Sequence, residues 1–201
     1  MGRSSAEQAL RNRARIVEGA SRLFRERGVE AVSVADIMAA AEMTVGGFYK
    51  HFASKEALVE EATGQAFDEA SALWAGILDR PDRPDHEARA VRARLVAQYL
   101  RPNPQRHCPI IAFAPHAASP ESSAPSRSAY DRGTGALLEK FFAGTAADGA
   151  DPDPAQADPE ALLLFAAMVG ARVLGEAAGE VDWVQAVRKA IIDAAERPAG
   201  A

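Results

Sequence analysis

Cysteine occurs once in the 201 residues, at Cys108. A single thiol excludes an intrachain disulfide and any zinc site built on several thiolates. Long apolar runs are missing too. The longest, residues 161–170, is too short to span a bilayer. The first residues, Met-Gly-Arg-Ser-Ser-Ala-Glu, hold no apolar stretch, so a signal peptide is not expected and a reducing cytoplasm is the expected compartment. Strand signals are scarce: alanine, leucine, arginine and glutamate dominate, with apolar residues at helical spacing. There is no internal repeat. There is also no nucleophile–base pairing, no glycine-rich phosphate loop and no metal-ligand spacing. Neither catalysis nor a cofactor or metal is expected.

What is present is an ordinary globular composition, 48% apolar and 25% charged, enough for one or two domains with a sizeable core. The net charge of −5 hides an asymmetry. Residues 1–55 carry nine Lys/Arg and six Asp/Glu, a balance of +3; residues 56–201 carry fourteen and twenty-two, a balance of −8. A basic head on an acidic body points to a polyanion met by the head alone; chance is the other reading.

The chain reads as all-α, with about nine helices. The first spans residues 8–27, with Ile16, Val17, Ala20, Leu23 and Phe24 inward and Gly28 as its stop. Arg11, Arg13 and Arg15 then lie near its start, where the helix dipole disfavours cations. A phosphate partner and a solvated face are the two explanations. Ser33 and Asp36 form a capping-box pattern for a second helix carrying Ile37 and Met38. Thr44 is placed to cap a third through His51, and Ser54 a fourth through residue 78. Further helices are expected at 86–100, 108–117, 126–144, 160–177 and 181–196. Asp/Arg/Pro-rich residues 79–85, the break at 101–104, the turn at 120–125 and the linker 148–159 separate them.

Residues 43–52, Met-Thr-Val-Gly-Gly-Phe-Tyr-Lys-His-Phe, are the most informative segment. Three short helices with a tight turn between the second and third make a helix-turn-helix. Its apolar skeleton is Ile37, Met38, Met43, Phe48 and Phe52. Gly46 and Gly47 each cost a helix roughly 1 kcal/mol against alanine. What they offer in return is close approach to a major groove. Tyr49, Lys50 and His51 present donors for phosphates, as does Lys55 at the start of the fourth helix, whose N–H groups add to an anion site. Val45 is set to touch a thymine methyl or nothing. The competing reading makes these helices the end of a bundle, with Lys50 and His51 simply solvated.

Residues 15–62 resemble the DNA-binding domain of the tetracycline-repressor (TetR) family. The resemblance rests on Ile16-Val17-x-x-Ala20-x-x-Leu23-Phe24-x-x-x-Gly28, Ser33-Val34-x-x-Ile37, Thr44-x-Gly46-x-Phe48-Tyr49-x-x-Phe52 and Ser54-Lys55-Glu56-x-Leu58. It implies DNA contacts at Ser33, Thr44, Val45, Gly47, Tyr49, Lys50, His51 and Lys55. One departure is Glu42, where many relatives carry glycine; a positive φ there would strain the turn.

The resemblance also implies a domain boundary, with residues 1–53 binding operator DNA and residues 54–201 holding a small-molecule effector and dimerising. The residues are compatible. Residues 162–169 are apolar on every side and should be buried on every side. Trp183, Val187 and Ile191 share a face of the last helix. The last two helices of two chains would build a four-helix interface, the alternative being an internal hairpin in a monomer. The family's pocket would fall among Trp74, Tyr99, Cys108, Phe113, His116, Tyr130, Met168 and Arg172, each of which could equally be core. Arg106 and His107 beside Cys108 would favour a thiolate sensor; an inert buried cysteine is the alternative. The whole reads as a ligand-released repressor on a palindromic operator. Its alternatives are a ligand-binding dimer that no longer reads DNA, or a Cys108-based redox or electrophile sensor.

Overall fold

The computed structural model describes residues 2–78, 88–103, 107–145 and 159–197. The elements run α1 (Gly2–Arg27), α2 (Val34–Ala40), a 3-10 helix (Val45–Lys50), α3 (Lys55–Leu78), α4 (Ala88–Leu100), α5 (Pro109–Ala118), α6 (Ala124–Thr145), α7 (Pro159–Ala178) and α8 (Asp182–Glu196). The described residues contain no strand, and the all-α expectation holds. The expected breaks at 79–85 and 148–158, the start of the fifth helix at His86, and Pro104 and Arg106 lie outside the described residues.

Helix α1 buries Ile16, Val17, Ala20, Leu23 and Phe24, positions that return to one face every three or four residues. Gly28 ends it at φ +80°, its N–H donating to the Phe24 carbonyl at 2.9 Å. The helix begins at Gly2, not near residue 8. Arg11, Arg13 and Arg15 therefore sit well inside it, and the dipole argument for a phosphate partner falls away. Ser33 and Asp36 make the capping box in full: the Asp36 N–H donates to Ser33 Oγ at 3.1 Å, and Ser33 N–H donates to Asp36 Oδ2 at 2.8 Å. Ser54 Oγ accepts from the Ala57 N–H at 3.1 Å, capping α3 as expected.

The chain divides into two compact units. The first takes Met1–Ala70 and His107–Thr134, the second Ser71–Arg106 and Gly135–Ala201. A packing boundary therefore does not coincide with the functional boundary expected at 53/54: α5 and the start of α6 join the head. In the first unit Phe113 of α5 meets Phe24 of α1 edge-on, ring centroids 6.3 Å apart, within the same buried core as Ile37, Met38, Phe48 and Phe52. Burial of each such side chain contributes about 1.5–3 kcal/mol. Gly133 lets α6 approach α3 closely: a Cβ there would lie 2.2 Å from Phe67 Cγ.

The second unit packs α4, α7 and α8 together. Trp74 lies 6.1 Å from Tyr99, 6.5 Å from Phe141 and 6.3 Å from Phe165, centroid to centroid. Two buried arginines serve helix ends. Arg92 donates to the carbonyls of Ala195 and Arg197, both at 3.0 Å, at the C-terminus of α8. Arg172 donates to the Tyr99 carbonyl at 2.8 Å at the end of α4. Guanidinium groups there satisfy carbonyls that a helix end leaves without partners.

Helix α7 corrects two expectations. It is 20 residues long, and by length and composition it is apolar enough to cross a membrane, so run length does not exclude a span. It is also not buried on every side. Leu164, Phe165, Met168 and Ala171 are buried, while Leu162, Leu163, Val173 and Leu174 are exposed, Leu163 at 71%. One face packs in its own unit, and the other is exposed among the described residues. On α8 Val184 is buried, Val187 and Ile191 are half-buried, and Trp183 is exposed.

Candidate nucleic-acid interface

The segment after α2 turns sharply. Met43 N–H donates to the Met38 carbonyl at 2.8 Å, and Glu42, at φ 56°, is in the left-handed region. Among the described residues it is the non-glycine residue with positive φ. That conformation costs an L-residue about 1 kcal/mol. The expected third α-helix is instead a six-residue 3-10 helix, Val45–Lys50. Thr44 precedes it in extended geometry with no side-chain capping bond, contrary to expectation. Its carbonyl accepts from Gly47 N–H at 2.9 Å, a three-residue return. Two adjacent glycines with low helix propensity and an uncapped start leave little to favour the wider α turn.

Two rings fasten this element. Phe48 is fully buried, stacked on Phe52 at 5.7 Å, with Tyr49 edge-on at 5.2 Å. The opposite side faces solvent: Thr44, Val45, Gly46, Tyr49 and Lys50 are exposed, Tyr49 at 73%, while Gly47 and His51 are half-buried. Neither glycine is required by backbone conformation or by crowding. Neither has positive φ, a Cβ at Gly46 would meet nothing within 4 Å, and one at Gly47 would make ordinary contact with Met38 Cε at 3.6 Å.

The head's other cations are mostly engaged. Both terminal nitrogens of Arg13 bond the Glu61 carboxylate, and its guanidinium lies over Phe52, 4.5 Å from the centroid. That hydrogen-bonded pairing raises the Arg13 pKa. Arg15 pairs with Glu42 at 2.9 Å. Lys55 Nζ donates to the Val29 carbonyl at 2.7 Å and lies 6.0 Å from the Phe24 centroid, which leaves two of its three protons for another acceptor. Ser33 is exposed, but its hydroxyl donates to Asp36 Oδ2 at 2.5 Å. These hydrogen bonds from the Ser33 side chain and backbone hold the Asp36 pKa below the usual carboxylate range.

One cluster in this unit has no counterpart in the sequence reading. His116 of α5 is buried, with Nδ1 2.7 Å from Glu30 Oε1 and Nε2 3.2 Å from Glu56 Oε2. The Ser123 N–H donates to Glu56 Oε1 at 2.9 Å. Burial alone would raise the Glu56 pKa; hydrogen bonds from Ser126, Ser123 and His116 outweigh it and bring the carboxyl to about 2. The cluster ties α5 to the α1–α2 turn and to the first turn of α3. Residues so far apart in sequence give no local signal.

The eight expected pocket residues are divided between the two units. Cys108, Phe113, His116 and Tyr130 belong to the first unit; Trp74, Tyr99, Met168 and Arg172 belong to the second. Cys108 is a buried thiol at the N-cap of α5, Phe113 is core, and Tyr130 donates to the Ile110 carbonyl at 3.0 Å. Met168 is fully buried, and Arg172 lies over Tyr99 at 5.8 Å. The second unit has an open groove of about 320 Å³ lined by Ala72, Leu73, Gly76 and Ile77 of α3 and by Arg94 and Gln98 of α4. None of the eight lines it. Among the described residues no group of three or more His, Cys, Asp or Glu side chains could hold a metal.

Comparison with known proteins points the same way as the geometry of the head. Residues 16–62 match the family model for bacterial regulatory proteins, tetR family. The HTH-type transcriptional repressor KstR2 of Mycobacterium tuberculosis is 37% identical over 79 residues, 39% of this chain and 40% of that protein. The HTH-type transcriptional regulator TtgR of Pseudomonas putida is 43% identical over 60 residues, 30% of this chain and 29% of that protein. The chain thus spans about 40% of the KstR2 length, and less of TtgR. Solved structures extend the likeness in fold. A TetR-family transcriptional regulator from Streptomyces coelicolor superposes with TM-score 0.67 at 25% identity, covering 98% of this chain and 93% of that one. One from Cytophaga hutchinsonii gives 0.72 at 16% identity, covering 94% of each chain.

Proposed function

We propose, from the match of residues 16–62 to the family model for bacterial regulatory proteins, tetR family, that this chain is a homodimeric transcriptional repressor, not an enzyme. It binds a palindromic operator in the cytoplasm and leaves it when a small molecule binds the body. The observation that carries the reading is the element Val45–Lys50: exposed Thr44, Val45, Gly46, Tyr49 and Lys50 on one side, buried Phe48 and Phe52 on the other. An exposed element held by its own core, with two glycines that neither positive φ nor crowding requires, suits close approach to a major groove. Tyr49, Lys50, His51 and the remaining donors of Lys55 grip phosphates. Thr44, Val45 and the glycine edges read bases, and Ser33 contributes through the helix end it caps.

Residues 1–53 then serve DNA and residues 54–201 serve effector and partner. The dimer forms through α7 and α8. Exposed Leu163, Gly170, Val173 and Leu174 fall on one face of α7, and Trp183 is exposed on α8. A Cβ at Gly170 would meet nothing within 4 Å, which leaves room for a second helix to come close. Two recognition elements about 34 Å apart then meet half-sites one helical turn apart. Effector binding beside the Leu73–Leu78 end of α3 would tilt that helix, whose Ser54 end adjoins the recognition element, and change the spacing of the heads. By linkage, operator DNA weakens the effector as much as the effector weakens DNA.

The test is duplex binding as a function of salt. Each neutralised phosphate lowers the slope of log affinity against log salt by about 0.9. A steep negative slope is expected; no duplex binding, or binding indifferent to salt, overturns the reading.

A further inference from the structure

Glu42 carries two burdens at once. Its backbone is in the left-handed region at φ 56°, and its carboxylate stands two residues ahead of Thr44, where a phosphate backbone would approach. Glycine would remove both. The side chain is 85% exposed, so it is not kept for packing. It has a single described partner. Arg15, 27 residues earlier on α1, donates Nη2 to Glu42 Oε2 at 2.9 Å, and its own side chain is 46% exposed.

Neighbouring cations show what is unusual about Arg15. Arg13 is held by Glu61 and Phe52, and Lys55 by the Val29 carbonyl and Phe24; these contacts join α1 and α3 to the core of the head. The Arg15–Glu42 pair joins two exposed side chains and braces no buried group. A bond of that kind contributes little to stability in water. Its main consequence is electrostatic: a guanidinium that would otherwise be offered to a polyanion is matched by a carboxylate from the turn beside the recognition element.

We propose that Glu42 sequesters Arg15 and so acts as a built-in brake on phosphate-backbone binding, lowering the head's sequence-independent affinity for duplex DNA. Base contacts through Thr44 and Val45 are untouched by the pair. The brake therefore raises the ratio of specific to non-specific binding. The inference rests on the DNA-binding reading above and adds to it a residue pair that sets affinity and discrimination.

The test measures full-length protein against a duplex of random sequence by fluorescence anisotropy between 50 and 300 mM salt (about one to two Debye-length halvings). Glu42→Gln keeps the side chain's size and removes its charge; Glu42→Gly also relieves the turn. Both should bind more tightly, by about eightfold near 0.1 M salt, with the salt slope steeper by about 0.9, the signature of one more neutralised phosphate. Arg15→Ala should change little in the wild-type background and should abolish the gain in the Glu42→Gln background. An unchanged or weaker Glu42→Gln, or an Arg15→Ala that alone loses affinity severalfold, overturns the brake while leaving DNA binding intact. No duplex binding by the wild type or by Glu42→Gln overturns both the brake and the reading it rests on.

Discussion

At the scale of single residues, what a side chain lacks matters as much as what it carries. Gly46 is exposed, has no positive φ, and leaves open space where a Cβ would be. Gly46→Ala should therefore leave the melting temperature unchanged or raise stability by about 0.4–1 kcal/mol. Duplex affinity should fall at least tenfold, because the added methyl stands where the groove must approach. Thermal melts and DNA titrations on the same sample check both halves. Glu56 makes a pH prediction. Its folded pKa of about 2 lies below the ordinary value of 4.5, so its stabilisation is fully present above that ordinary value. It is lost as pH falls from about 5 towards 2. Glu56→Gln should lower stability at pH 7 by about 1–2 kcal/mol, with the shift discounted for partial exposure, and flatten the acid limb of stability against pH. Urea unfolding across pH 2–7 measures it; an acid limb equal to that of the wild type would show that the His116–Glu56–Ser123 cluster does not hold the head.

At the scale of elements, the stop at Gly28 and the caps at Ser33 and Ser54 were readable because their chemistry is local, whereas Thr44 makes no side-chain cap. Gly28, Ser33 with Asp36, and Ser54 each act within four residues, and each does in the structure what its spacing implies. The 3-10 form of Val45–Lys50 was not readable, since it depends on a balance between Gly46, Gly47 and the anchorage of Phe48 that periodicity does not express. The placement of His116 was not readable either. Its partners Glu30 and Glu56 are 86 and 60 residues away, and only the packing of α5 against α1 brings them together. Nor does an all-apolar segment reveal which face of α7 its own chain covers. That face now yields an expectation. Leu163→Glu changes a side chain 71% exposed in the single chain, so the fold should survive it. It should convert a dimer to monomers in sedimentation equilibrium and weaken operator binding by two orders of magnitude or more, since one head alone reads half a site. A Leu163→Glu protein that sediments like the wild type would remove α7 from the interface.

At the scale of the whole molecule, charge and fold divide the labour. Residues 1–55 carry +3 and residues 56–201 carry −8, a division that suits the proposed contact of the N-terminal segment with a polyanion. The brake at Glu42 fits this division, because a head with spare positive charge would bind any duplex. Lys50→Ala should then weaken binding to all sequences about equally and reduce the salt slope by about 0.9, leaving sequence preference intact. Anisotropy with matched and scrambled duplexes separates the two effects. The central claim is that Thr44–Lys50 of two chains reads two half-sites. Selection of bound duplexes from a random pool by the full-length protein tests it most directly. The account predicts an inverted repeat whose half-sites are centred about one helical turn apart, with recovery lost for Gly46→Ala. Recovery of unrelated sequences with no inverted repeat, at the same yield for wild type and Gly46→Ala, would contradict it.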